Sequence, residues 1–141
     1  MKQLTVNILG GRGVGKTTVA MHAVAELRWL GIPTALNRGI AKFWGEEPAI
    51  VSMRVYDGRA WTPHALAELC LDTLTFLVRR RKDYVYPPGI HPDLARQWND
   101  FDEELENMMR EGRVRYKSLP GVRASVPYIV KRICEGVGYD R

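Results

Sequence analysis

Leu4-Thr5-Val6-Asn7-Ile8-Leu9-Gly10-Gly11-Arg12-Gly13-Val14-Gly15-Lys16-Thr17-Thr18 runs from an apolar, β-branched segment into glycines and then into a helical pattern. Leu4 to Leu9 reads as a buried strand. Gly10 to Thr17 satisfies G-x-x-x-x-G-K-[ST] at every specified position, between a strand and an amphipathic helix, which is the context the motif requires. Glycines let successive backbone N–H groups turn inward around a phosphate, and a helix N-terminus adds positive potential there. The predicted phosphate contacts are Gly11, Arg12, Gly13, Val14, Gly15, Lys16, Thr17 and Thr18. Lys16 reaches the β- and γ-phosphates, and the Thr17 hydroxyl ligates Mg²⁺.

Outward from this stretch, strands alternate with helices. Lys16 to Leu30 places Val19, Ala20, Ala23, Val24, Leu27 and Leu30 on one helical face, with Gly31 as the stop. Pro33 to Leu36 and Ile50 to Tyr56 read as strands. Thr62-Pro63 opens a helix that buries Leu66, Leu69 and Cys70. Thr73 to Val78 is a fourth strand, and Arg79 to Pro92 a basic, aromatic, proline-rich loop. Pro92 to Glu111 carries Leu94, Trp98, Phe101, Leu105 and Met108 on a helical stripe ended by Gly112. Val114 to Leu119 is a fifth strand, and Ser125 caps a last helix through Ile133. The alternation implies an α/β fold: a central, mostly parallel five-stranded sheet with helices on both faces, in one domain over residues 1–141.

The 141 residues, 45% hydrophobic and 26% charged, suit one globular domain and are too few for a TIM barrel or a two-lobed kinase. No run approaches the ~18 apolar residues of a membrane helix, so no membrane association is expected. The first residues lack a signal peptide's apolar core. Cys70 and Cys134 alone provide neither a disulfide framework nor a zinc cluster, and a cytoplasmic setting is expected. Lys and Arg number 21 against 16 Asp and Glu, a net charge of +5 that suits an anionic partner.

Asp57 ends the third predicted strand, on the edge where α/β sheets bind ligands. An acid there holds Mg²⁺ together with Thr17 or accepts a proton from an attacking hydroxyl. Arg79, Arg80, Arg81 and Lys82 follow the fourth strand, where guanidinium groups neutralise charge on a transferring phosphoryl. Arg79 and Arg81 are the expected participants, beside Lys16 and Asp57. Tyr84 and Tyr86 could stack on a base, and Trp98 reads as packing. His22 and His64 lie in helical patterns, and the three His and two Cys lack metal-ligand spacing.

The chain resembles a phage-encoded P-loop kinase family related to the nucleoside monophosphate kinases. The resemblance rests on Asn7 to Thr17 as N-x-x-G-G-x-G-x-G-K-[ST], on Leu30-Gly31-Ile32, Ala41-Lys42 and Asp57, and on Phe76 to Arg79 before an Arg-containing lid. Phe101-Asp102-Glu103-Glu104-Leu105 matches the family's acidic helix. It implies a three-layer P-loop NTPase fold, ATP and Mg²⁺ as cofactors, and transfer of the γ-phosphate to a nucleotide such as a deoxynucleoside monophosphate. For a phage protein the setting is the host cytoplasm. Arg38 to Ala49 is shorter than in such kinases, and Gly89-Ile90 stands where they carry Gly-Arg. Two other readings therefore stand beside it: a kinase acting on a hydroxyl of a modified base in phage DNA, and an ATP-binding or ATPase module without an acceptor. A homodimer is left open. The absence of N-K-x-D argues against a GTPase switch.

Overall fold

The structure is a computed structural model that describes residues 1–38, 49–56 and 61–140. β1 (Leu4–Leu9) forms the middle of a five-stranded sheet. Its central place follows from its composition, because Val6, Ile8 and Leu9 are apolar on both faces and only a strand covered on both sides can bury them all. After α1 (Lys16–Trp29) come β2 (Thr34–Arg38), β3 (Val51–Tyr56), α2 (Pro63–Leu69), β4 (Leu74–Arg79), α3 (Pro92–Glu111), β5 (Lys117–Pro120) and α4 (Ser125–Val137). The strand order is β2-β3-β1-β4-β5, and every pairing is parallel. Ile8 stands opposite Val55 on one side and Phe76 on the other.

Val6, Ile8, Val51, Met53, Val55, Phe76 and Val78 pack under α1 and α4 on one face. On the other face Leu9 and Leu77 meet Leu66 of α2 and Leu105 and Met109 of α3. From β1 the chain runs outward to β2, returns to β3, and then crosses β1 to β4 and β5. The direction of winding reverses at β1, so a crevice opens beyond the carboxyl ends of β1, β3 and β4. Among the described residues no helix is long and apolar enough to cross a membrane.

The α1 pattern is buried from Val19 through Leu27 as expected, with Leu30 half-buried and Gly31 in the left-handed region at φ 82°. Other expectations shift. The sheet is wholly parallel, where only a mostly parallel one was expected. β5 begins at Lys117 instead of Val114, because the end of α3 is still unwinding: Arg113 has φ 55° and the Val114 N–H bonds the Met109 carbonyl. Ser125 does not cap α4; it is the helix's first residue, and its hydroxyl donates to the Pro120 carbonyl at 2.7 Å. α4 continues past Ile133 to Val137, where Gly138 takes φ 74°. In α2 only Leu66 is fully buried, and in α3 the buried pair is Leu105 and Met109, with Met108 half-buried. Of the other expected stripe residues, Phe101 is half-buried on the same core, Trp98 packs against Tyr86, and Leu94, in the first turn, is exposed.

Leu105 is wholly buried where α3 meets the sheet. Leu105→Ala is expected to cost about 2–5 kcal/mol through lost transfer energy and a residual cavity. Urea unfolding measures it, and a loss below about 1 kcal/mol would show that this face collapses around the gap.

Candidate phosphate-binding site

Leu9 delivers the chain to the crevice, and residues 10–15 turn it into α1. Gly13 and Gly15 lie at φ 73° and 97°, where a side chain would be strained. Gly15 is the N-cap of α1 and offers no side-chain acceptor, and the first turn carries no acid. α2 and α3 are capped, since the Thr62 hydroxyl accepts from the Ala65 N–H and His91 Nδ1 accepts from the Asp93 N–H, whereas α4, like α1, has no side-chain cap. The start of α1 thus keeps its N–H groups and its positive potential directed at the loop.

Val14 is buried in the core under α1 and α4, so its side chain anchors the loop and leaves its backbone for contacts. Lys16 Nζ lies back across the loop and donates to the Gly11 carbonyl at 2.9 Å. Thr17 is half-buried, while Arg12, Gly13 and Thr18 are exposed. All eight residues expected to contact phosphate therefore share one short turn at the switch point.

Besides a hollow of about 670 Å³ between Arg12 and α3, lined by Trp98, Phe101 and Glu104, two smaller ones adjoin this turn. One, of about 250 Å³, lies on the α1–α4 side and is lined by Gly15, Thr18, His22, Gly121, Arg123 and Val126. The other, of about 290 Å³, lies on the α3 side between Gly11, Arg79, Arg80, Asn99, Asp102 and Glu103.

Arg79 ends β4, exposed at the rim of the second hollow, and its carbonyl accepts from the Gly121 N–H at 3.0 Å. Arg81 is turned onto its own loop: Nε and Nη2 donate to Asp83 at 3.0 and 2.8 Å, and this hydrogen bonding holds the Asp83 carboxyl below the usual carboxylate range. The arginine of this run that touches the glycine-rich loop is Arg80, rather than either of the two expected participants. Its Nη2 donates to the Arg12 carbonyl at 2.8 Å, and its Nε to Asp102 at 2.7 Å.

Within the loop expected over Arg79 to Pro92, Arg80, Tyr84 and Tyr86 form a cluster against α3, while most of residues 81–90 are exposed. Tyr84 and Tyr86 meet edge to face at 4.9 Å, Tyr86 lies 6.2 Å from Trp98, and Asn99 Nδ2 donates to the Tyr86 hydroxyl at 2.6 Å. Trp98 is thus a packing residue, as expected, and the tyrosines are occupied with Arg80.

Asp57, the expected partner of Thr17 at Mg²⁺, lies outside the described residues, as do Ala41, Lys42 and the Arg38 side chain. Among the described residues no cluster of three His, Cys, Asp or Glu forms a metal site. Burial pushes the Cys70 thiol up, against hydrogen bonds with Thr75 and Asn7 that lower it. His64 pairs with Glu68 on the surface of α2. No family model matches the chain, and no curated protein matches it.

Proposed function

We propose that this chain is an ATP-dependent P-loop phosphotransferase with the three-layer P-loop NTPase fold that its resemblance to the phage kinases implies. The observation that carries the reading is the loop itself. A complete G-x-x-x-x-G-K-[ST] stretch leaves the central strand at the switch point, opens an uncapped helix, and folds its lysine back over the turn. In this reading the triphosphate lies along residues 11–18, held by inward N–H groups and by Lys16, which moves from the Gly11 carbonyl to phosphate oxygens. Mg²⁺ supplies charge neutralisation between the β- and γ-phosphates when bound; the Thr17 hydroxyl and Asp57 would hold it. The base occupies the hollow beside Thr18, His22 and Arg123. The γ-phosphate then faces the α3-side hollow, where Arg79, exposed on its rim, would meet developing charge.

Positioning and charge neutralisation are what in-line phosphoryl transfer asks of a protein. The acceptor is a nucleotide that reaches this second hollow. Phosphotransfer from labelled ATP across nucleosides, monophosphates and DNA tests the reading. Label on a monophosphate supports it, and label on DNA moves the acceptor to nucleic acid. ATP hydrolysis with every acceptor refused makes the chain an ATPase module. Absence of both ATP binding and turnover removes the proposal.

A further inference from the structure

We infer that Arg80 is a positioning residue: it fixes the tip of the glycine-rich loop from behind, through the Arg12 carbonyl, and joins that loop to α3. The inference rests on the nucleotide-binding reading above for its functional meaning, while the loop geometry it concerns stands apart from it. The Arg80 side chain is only 7% exposed. Three elements converge on it. Asp102 of α3 takes both Nε and Nη2, at 2.7 and 3.1 Å. Arg12 of the loop takes Nη2 at 2.8 Å. The Tyr84 ring faces the guanidinium at 4.6 Å, with Trp98 at 5.6 Å and Tyr86 at 5.9 Å. The Asp102 carboxylate in turn rests on Gly11, in the place a Cβ would take, so the pair touches the loop at two successive residues.

A stabilising role alone explains this arrangement poorly. Desolvating an ion pair offsets much of its attraction, and apolar residues of similar size often serve stability as well or better. Arg80 also leaves Nη1 buried with no acceptor among the described residues, and Trp98 Nε1 beside it is in the same condition. Buried donors without partners weaken a fold. What the guanidinium does, and an apolar side chain cannot, is grip a backbone carbonyl of the loop while held in a fixed plane by Asp102 and Tyr84. With that carbonyl turned toward Arg80, the neighbouring peptide N–H groups are left oriented for phosphate. Arg80 is thereby committed to the loop's shape, and Arg79 remains the one placed for charge on the transferring group.

The test separates stability from positioning. Arg80→Met strands Asp102 and should lower the melting temperature. The double variant Arg80→Met/Asp102→Leu removes both charges and should recover it. In that double variant amide exchange at residues 11–15 is expected to stay faster than wild type, and ADP affinity to stay about ten- to a hundredfold weaker. Arg80→Lys keeps a charge for Asp102 without the planar fork, and is expected to fold and show the same loop defect; it carries the test if the double variant fails to fold. Wild-type exchange and wild-type ADP affinity in a refolded double variant, or in Arg80→Lys, would make Arg80 merely structural and overturn the inference. Wild-type protein that does not bind ADP overturns the nucleotide reading instead, and the exchange data still decide whether Arg80 shapes the loop.

Discussion

Lys16→Ala should abolish nucleotide turnover while the protein stays folded. Lys16 is half-buried, and its Nζ lies over the loop on the Gly11 carbonyl, outside the apolar cores that hold the sheet to its helices. Alanine at the first residue of α1 also suits a helix, so the fold loses little. Charge delivered to a transferring phosphoryl in a preorganised site supplies on the order of 3–4 kcal/mol of barrier, or about 10²–10³ in rate, and more where one side chain carries most of it. Turnover of labelled ATP, read beside a thermal melt, measures both halves. A folded variant with wild-type turnover would remove the glycine-rich loop from the chemistry.

Gly121→Ala should destabilise the protein and damage the loop together. Gly121 opens the turn from β5 to α4 and lies against the back of the loop. A Cβ there would be driven into the Val14 carbonyl, with the carbonyl carbon at 3.0 Å and Val78 Cγ1 at 3.2 Å. The glycine cannot retreat freely, because its N–H is bonded to the Arg79 carbonyl at 3.0 Å. Val14 cannot yield freely either, being anchored in the core. Overpacking of this kind costs about 1–3 kcal/mol, a drop of roughly 3–12 °C in Tm for a domain of this size. Nucleotide affinity should fall with it, since the loop must shift to make room. Gly138→Ala is the control: it meets no atom within 4 Å and carries only the strain of φ 74°, so it should lower stability and leave affinity unchanged. Equal affinity in Gly121→Ala and wild type would mean that the loop tolerates displacement.

Local chemistry explains what was legible in the sequence. The loop, α1 and β1 could be read because each is specified within a few residues, by glycines, by helical spacing and by a β-branched run. The start of α2 was equally plain, with Thr62 accepting from Ala65 and Pro63 following. Boundaries were lost where tertiary contacts override local signals. Val114 has strand character, yet its N–H is spent on the last turn of α3. Ser125 is a good capping residue that hydrogen-bonds Pro120 instead. Met108 and Met109 are neighbours of equal hydrophobicity, and only the angle at which α3 meets the sheet chooses between them.

The contacts of Arg80 could not be read from the sequence for the same reason. Strand alternation distinguishes Arg79 from Arg80, but nothing near residue 80 announces that its partner is Asp102. That pairing spans 22 residues and exists only because α3 returns across the end of β4. The one available signal was the interleaving of Arg80 with Tyr84, Tyr86 and Trp98, a composition that suits a stacked guanidinium as well as a stacked base.

Backbone amide shifts of the folded wild-type protein, recorded while a non-hydrolysable ATP analogue is titrated in, test the central claim most directly. The account predicts the largest changes at residues 11–18, with smaller ones at Gly121 to Arg123 where the base would lie, and loss of the loop response in Lys16→Ala. Unmoved amides at residues 11–18 under millimolar analogue would contradict it.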